Sequence, residues 1–496
     1  MTGIALIDRA FDHASRDAIV CGGDTFSYAE LLRDSESIAA AILDGRDDLE
    51  QARITFLAPS SYDYVRTLWG IWRAGGIAVP LCTSHPRPEL EYVLQDTRAE
   101  QLIAHRDFDA IARPLAKDIG LDYSALEELE TDKPAALPDI DPSRAATILY
   151  TSGTTGKPKG VVATHANITA QIEMLIDAWG WVEDDRIVQF LPLHHVHGII
   201  NVLSCSLWAG ARCEMLPAFE AATVWGRLAD EEAALTVFMA VPTVYAKLAA
   251  ARDAAAPETQ LEWLNACQKL RLMVSGSAAL PVKMLQRWET ISGHRLLERY
   301  GMTEIGMALS NPLNGERVAG HVGSPLPGVS VRLVDESNEP VGVQGEIQVK
   351  SASVFPEYWE RPDATRDAFT ADGWFKTGDI AIETNGIFRI LGRSSVDIIK
   401  TGGYKVSALE IEEVLRTHEA ICDCAVVGVP DDEWGEVISV AIIRADSQHL
   451  DLDQLRAWCK ERLAAYKTPR RFQLVEDLPR NAMGKVTKKA VTKLFT

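Results

Sequence analysis

Stretches of apolar residues long enough to span a bilayer are missing from this chain: no window approaches about 18 uninterrupted apolar residues, so a membrane-spanning helix is not expected. Positive charge is also short. Fifty Lys and Arg stand against seventy Asp and Glu, a formal charge of −20, which argues against a general binder of nucleic acid or of anionic membrane. Cysteine signals are weak: eight cysteines are scattered without a CxxC pair, a pattern of reduced thiols in a cytoplasmic setting rather than a disulfide framework. Cys422 and Cys424, two apart in ICDCAVVGV, are expected to share one face of a strand. The opening MTGIALIDRAFDHASRD has an acid at position 8 and no apolar core after a basic start, so no secretory signal is expected. Low-complexity tracts and internal repeats are lacking as well.

At 496 residues the chain exceeds what one hydrophobic core ordinarily supports, so two or more domains are expected. With 47% hydrophobic and 24% charged residues, its composition is globular. The first half alternates helical and strand-like patterns. FSYAELL has Ser27 with Glu30 three residues later, a capping-box spacing; YDYVRTLWGIWRAGG reads as a helix closing at Gly75 and Gly76; IAVPL follows as a buried strand. Such alternation predicts layered α/β architecture with parallel sheets. After GIFRILGR come a glycine turn (TGGYK), a helix capped by Ser407 with Glu410, strands in CAVVGVP and ISVAIIR, and an amphipathic helix apolar at 452, 455, 458 and 463. These suffice for a small α+β domain. The divide falls at residues 391 to 393, giving a large N-terminal region, 1–391, and a small C-terminal domain, 392–496.

Basic charge, scarce overall, gathers near the end, with ten Lys or Arg against three acids between Lys460 and Lys493. Alone, such a run reads as a solvated face, but a site for anionic substrates needs one too. The sharpest local pattern is TILYTSGTTGKPKG, where a strand runs into Thr151, Ser152, Gly153, Thr154, Thr155, Gly156, Lys157 and Lys159. Glycines let backbone N–H groups wrap a phosphate chain, hydroxyls add donors and lysines add charge. The spacing is not a Walker A loop, because Gly153 and Gly156 are three apart and Pro158 follows Lys157. His194, His195 and His197 in LPLHHVHG invite a metal reading, yet no nearby Cys or acid completes a zinc spacing.

The hydroxyl- and glycine-rich loop resembles the phosphate loop of the adenylate-forming superfamily. Further motifs similar to that family's occur in order: LPLHHVHG (191–198), RYGMTE (299–304), TGD (377–379), GR (392–393) and RNAMGK (480–485). The resemblance spans essentially the whole chain. It implies a large multi-subdomain α/β region followed by a small mobile α+β domain, and an enzyme that adenylates a carboxylic acid with ATP and Mg²⁺ before passing the acyl group to coenzyme A. It also implies roles for single residues. Tyr300 presents a face to adenine beside Ser275, Gly276 and Ser277; Thr303 donates to the α-phosphate; Glu304 is the Mg²⁺ ligand; Asp379 and Arg393 hold the ribose. Lys485 is the catalytic lysine, His195, His197 and Met302 lie at the acyl pocket, and Gly402, Gly403 and Lys405 line the approach of coenzyme A. His194 stands where many relatives carry an aromatic, and its role is open. The hinge segment GRSSVDIIKTGG is one residue longer than the family pattern, leaving Ser395 and Val396 around the pivot.

The identity of the acid turns on few positions. Adenylation domains for amino acids carry an Asp early in the 191–198 segment, where this chain has His194 and His195, so amino acids are disfavoured. Arg299, directly before Tyr300, can hold a second carboxylate through a forked, charge-assisted pair. The wider segment resembles malonyl-CoA synthetases, which implies malonate, with methylmalonate tolerated. The alternative is another short-chain acid, with Arg299 in a salt bridge to Glu298. The partners expected are therefore a small carboxylate, ATP and coenzyme A.

Overall fold

The computed structural model describes residues 2–129, 131, 136–151, 157–431, 433–445, 450–481 and 484–495. Among them, two large sheets, a four-stranded sheet and a five-stranded C-terminal sheet carry the helices. No helix of the described residues is long and apolar enough to cross a membrane.

The expected local signals lie where elements begin and end. Ser27 and Glu30 form a complete capping box at the start of helix Tyr28–Leu43, so two backbone donors of its first turn are satisfied by neighbouring side chains. Helix Tyr62–Arg73 stops before Gly75, which sits at φ 82°. The strand Ile77–Pro80 that follows is buried along its whole length. It pairs in parallel with Arg53–Leu57 and Ala145–Thr151 inside the seven-stranded sheet, as strands covered on both faces do.

The nine-stranded sheet contains the parallel run Arg212–Met215, Arg186–Gln189, Val237–Ala240, Leu272–Ser275 and Leu297–Met302. Three candidate segments leave the carboxyl ends of strands: 191–198 after Gln189, 276–277 after Ser275, and 303–304 after Met302. Parallel sheets gather their ligand-facing loops at such ends. The 191–198 segment runs into a π-helical stretch, His197–Ser204, buried throughout, a local form that often accompanies functional sites.

The four-stranded sheet joins Ser330–Val334, Gln344–Lys350, Phe375–Thr384 and Ile387–Arg393. The chain then enters the C-terminal sheet, whose hairpin Ile398–Thr401 and Tyr404–Ser407 turns on Gly402 and Gly403, both at positive φ. A tight turn of this hand favours glycine. Helix Ala408–Leu415 is capped by the Ser407 hydroxyl, and helix Leu452–Arg462 buries Leu455 and Cys459. One expectation fails here. Cys424 is buried whereas Cys422 is exposed, because the pairing of Ile421–Asp431 with Gly435–Arg444 shifts register between Ile421 and Asp423. That irregularity breaks the simple two-residue alternation of faces.

Candidate active site

Strand Leu297–Met302 places neighbouring residues on opposite faces. Glu298 turns to the backbone N–H of Gly320, 3.3 Å away, and burial pushes its carboxyl up to about 8. Arg299 turns the other way and is only 4% exposed. Among the described residues no carboxylate pairs with it. Its guanidinium reaches the Ser277 hydroxyl at 3.4 Å through Nη2, while Nε has no partner. Burial pulls this cation down to about 9. A buried charge without a counter-charge is costly, and an arriving anion offsets that cost. The salt bridge between Arg299 and Glu298 offered as an alternative is therefore not formed.

Around Arg299 lie further unsatisfied groups. Ser277, at φ 66°, brings its hydroxyl within 3.2 Å of His197 Nδ1, and the buried His197 Nε2 has no partner. The Ser275 hydroxyl, also buried, is unpartnered. Burial, followed by the charge of Arg299, holds His197 well below the usual imidazole range, so the ring is neutral. Ser275, Gly276 and Ser277 thus sit against Arg299 and His197, a contact that sequence reasoning did not anticipate when it placed them beside adenine. Gly276 is required by space: a Cβ there would fall 2.4 Å from the guanidinium. The half-buried His195 is likewise held low, first by burial and then by the neighbouring His194.

A second group forms next to this pocket. Tyr300 donates to Asp379 Oδ2 at 2.6 Å, and Arg393 Nε donates to Oδ1 of the same carboxylate at 3.1 Å. Strand pairing sets Asp379 opposite Arg393. Both carboxylate oxygens are engaged, and the three side chains form one polar floor. Thr303 and Met302 are half-buried at the turn between Leu297–Met302 and Gly306–Ser310.

Glu304 is 7% exposed and accepts a hydrogen bond from Tyr358 Oη at 3.0 Å. Burial raises its carboxyl above the usual range. No Lys or Arg pairs with it at salt-bridge distance among the described residues, so this buried oxygen donor suits a hard divalent cation. Lys159 Nζ lies 4.9 Å from the centre of the Tyr358 ring, and Lys157 Nζ lies 5.2 Å from that of Tyr92. Tyr358 therefore connects Glu304 with the lysine end of the hydroxyl- and glycine-rich loop. Sequence reasoning missed Tyr358, because its partner lies 54 positions away. Ser152, Gly153, Thr154, Thr155 and Gly156 lie outside the described residues; Thr151 ends its strand opposite Lys159.

The C-terminal domain delivers Lys485 to this floor. Gly484 comes beside Thr243 of the larger region, where a Cβ would lie 3.4 Å from the hydroxyl. Lys485 donates its backbone N–H to Asn481 Oδ1 at 3.0 Å. Burial, then the charges of Arg299 and Arg393, pulls its ammonium down to about 8, with Asp379 acting the other way. The Gly402–Gly403 turn is exposed elsewhere on the domain, and Lys405 pairs with Glu336 of the larger region. At the junction, Asp397 accepts the backbone N–H of Arg393 at 3.0 Å and returns its own N–H to the Arg393 carbonyl at 2.8 Å. The extra residue is thereby taken up in a closed turn containing Ser394, Ser395 and Val396.

Comparison with known proteins bears on this geometry. Residues 7–359 match the AMP-binding enzyme family, and residues 410–485 match the AMP-binding enzyme C-terminal domain. The chain is 44% identical to malonate–CoA ligase ACSF3, mitochondrial, of Mus musculus, over 98% of this chain and 89% of that protein. It is 41% identical to malonate–CoA ligase of Arabidopsis thaliana, over 99% and 88%. ATP-bound MatB from Rhodopseudomonas palustris superposes with a TM-score of 0.91 at 32% identity, over 100% of this chain and 99% of that one. The apo form of the same protein gives 0.82. With both parts matched in chain order, this chain belongs to the AMP-binding, adenylate-forming enzyme family.

Proposed function

We propose that this enzyme joins malonate, and also methylmalonate, to coenzyme A, using ATP to form an acyl adenylate and releasing AMP and pyrophosphate. The observation that carries the reading is Arg299, a buried cation with no carboxylate beside it among the described residues and with Ser277 and His197 around it. A distal carboxylate supplies the missing charge, and a forked guanidinium is the group that recognises it. The curated relatives described as malonate–CoA ligases support the same substrate.

The roles belong to the same reading. Tyr300 and the Ser275–Ser277 loop flank the base, and Asp379 with Arg393 takes the ribose hydroxyls. Thr151 to Gly156, Lys157, Lys159 and Thr303 hold the phosphates. Mg²⁺ held by Glu304 supplies positive charge to the phosphate oxygens. Lys485 steadies the charge that develops at the α-phosphate as the near carboxylate attacks in line. His195, His197 and Met302 border the acid.

We place the division of the chain at 391/392. The apolar cluster of Ile399, Ile411 and Leu455 draws only on residues from 399 onward, whereas that of Leu333, Ile347 and Phe375 extends no further than Ile390. With Lys485 at the site and the Gly402–Gly403 turn outside it, this arrangement suits adenylate formation. Turning the small domain about 394–396 brings Gly402, Gly403 and Lys405 to the site for the thiol step. Eight free thiols suit a reducing, cytoplasmic compartment, although the animal relative carries the word mitochondrial in its description.

The test is AMP release with malonate, methylmalonate, acetate and butyrate, each with and without coenzyme A. Malonate should lead by at least about tenfold in kcat/KM. Equal rates for acetate and malonate would overturn the dicarboxylate reading and leave the family standing.

A further inference from the structure

Outside the floor just described, a thiol and two imidazoles meet at the acyl side of the site. Cys82 follows the strand Ile77–Pro80, and its backbone carbonyl accepts the N–H of His85 at 3.2 Å. This tight turn brings His85 back to the Cys82 backbone. Ser84 Oγ lies 3.2 Å from the sulfur. His194 comes from the other sheet's 191–198 segment; its ring centre is 6.1 Å from that of His85 and 4.2 Å from that of His195. Both His194 and His85 act on the sulfur so as to favour its ionised form. Glu89, one helical turn beyond His85, lies 3.4 Å from its Nε2. Thiol, imidazole and carboxylate thus stand in the order that activates a cysteine nucleophile.

We infer that Cys82 is a second reactive centre of this protein: a modification site for hydroperoxides, whose occupation disturbs the acyl pocket through His194 and His195. Cys82 is 6% exposed, while Thr83 and Ser84 beside it are exposed. A small reagent has a short path, and oxidation of the sulfur removes the thiolate on which His194 acts. In the step itself, the thiolate sulfur attacks one peroxide oxygen. The S–O bond forms as O–O breaks, and the departing hydroxide takes the imidazolium proton and leaves as water. The product is a sulfenic acid.

Electrostatics favour the ionised form. Burial opposes it, but hydrogen bonds from His194 and His85, the charge of His194 and the Ser84 hydroxyl outweigh burial and bring the thiol down to about 5. His85 moves upward in return, chiefly through its bond to Cys82 and secondarily toward Glu89. His194 and Lys485 in turn act on His195, both holding its ring low.

The chain provides an internal control in Cys422, which is exposed and far along the C-terminal sheet. Iodoacetamide labelling of the full-length enzyme, resolved by peptide mass spectrometry, reads both thiols at once. An ordinary thiol accelerates about 75-fold between pH 6 and pH 8, following its thiolate fraction. Labelling of Cys82 should change less than about twofold over the same range. Steep labelling of Cys82, or none, overturns the inference. Hydrogen peroxide should lower malonate activity of the wild type about tenfold or more and leave Cys82→Ser largely untouched. Equal loss in both overturns the inference as well. Because the pH profile is read on the unmodified enzyme, a poorly folding variant does not decide the outcome, and that profile does not depend on which acid is the substrate.

Discussion

Gly276 and Arg299 are packed so that a Cβ on residue 276 would fall 2.4 Å from both Nε and Cζ of the guanidinium. The loop after strand Leu272–Ser275 therefore leaves room for the guanidinium by staying small. Gly276→Ala should force Arg299 off its seat, an overpacking of about 1–3 kcal/mol. Malonate kcat/KM should fall about 5- to 150-fold. Acetate turnover should fall less, and initial rates with the two acids on one preparation check this.

Lys485 sets a basic limb. Its ammonium is pulled down to about 8, below the usual lysine range, so the charge present at neutral pH is lost as pH rises through about 8. Pyrophosphate release in the adenylation step should decline above that pH in kcat/KM. Lys485→Arg, cationic throughout, should lose the limb even where it is slower. Lys485→Ala should lose adenylate formation while still converting supplied acyl adenylate and coenzyme A to thioester. Equal loss of both steps in a folded variant counts against the turning-domain account.

The parts legible in sequence were those whose partners are near in the chain. The Ser27–Glu30 cap spans three residues, and the Gly402–Gly403 turn lies inside one hairpin. Arg299 could be singled out by its place before Tyr300, but its seat could not. Ser277 reaches it from another strand's end, 22 positions away, and Tyr358 reaches Glu304 across 54. Cys422 and Cys424 were misread because a shift in register depends on the partner strand. Cys82 gave no signal, since His194 lies more than a hundred residues further on and in a different sheet's loop.

Glu304 and Tyr358 predict a graded response to metal. Glu304→Gln removes the buried anionic ligand and should abolish Mg²⁺-dependent adenylation at millimolar metal. Tyr358→Phe keeps the ring beneath Lys159 but deletes the hydrogen bond that orients the carboxylate. Loss of such an outer contact typically costs about 10- to 100-fold in metal affinity. A Mg²⁺ titration of adenylate formation should show that shift, with the maximal rate approached at high metal. An unchanged titration curve for Tyr358→Phe would remove Tyr358 from the metal site.

Arg299 decides the substrate. If its guanidinium pairs with the distal carboxylate of malonate, truncating it leaves that charge desolvated and unpaired, at a cost of roughly 2–5 kcal/mol. At about 1.4 kcal/mol per tenfold, malonate kcat/KM should drop about 30- to 4,000-fold in Arg299→Ala. Acetate and propionate carry no second charge, and the wild-type pocket confronts their tails with a buried cation that has no carboxylate partner among the described residues. Their turnover should stay level or rise. The ratio of malonate to acetate, taken on a single preparation, cancels any difference in folded fraction. A ratio that survives the substitution makes Arg299 a structural bystander. A ratio that collapses assigns it to the second carboxylate, with Ser277 and His197 as the groups that hold it in position.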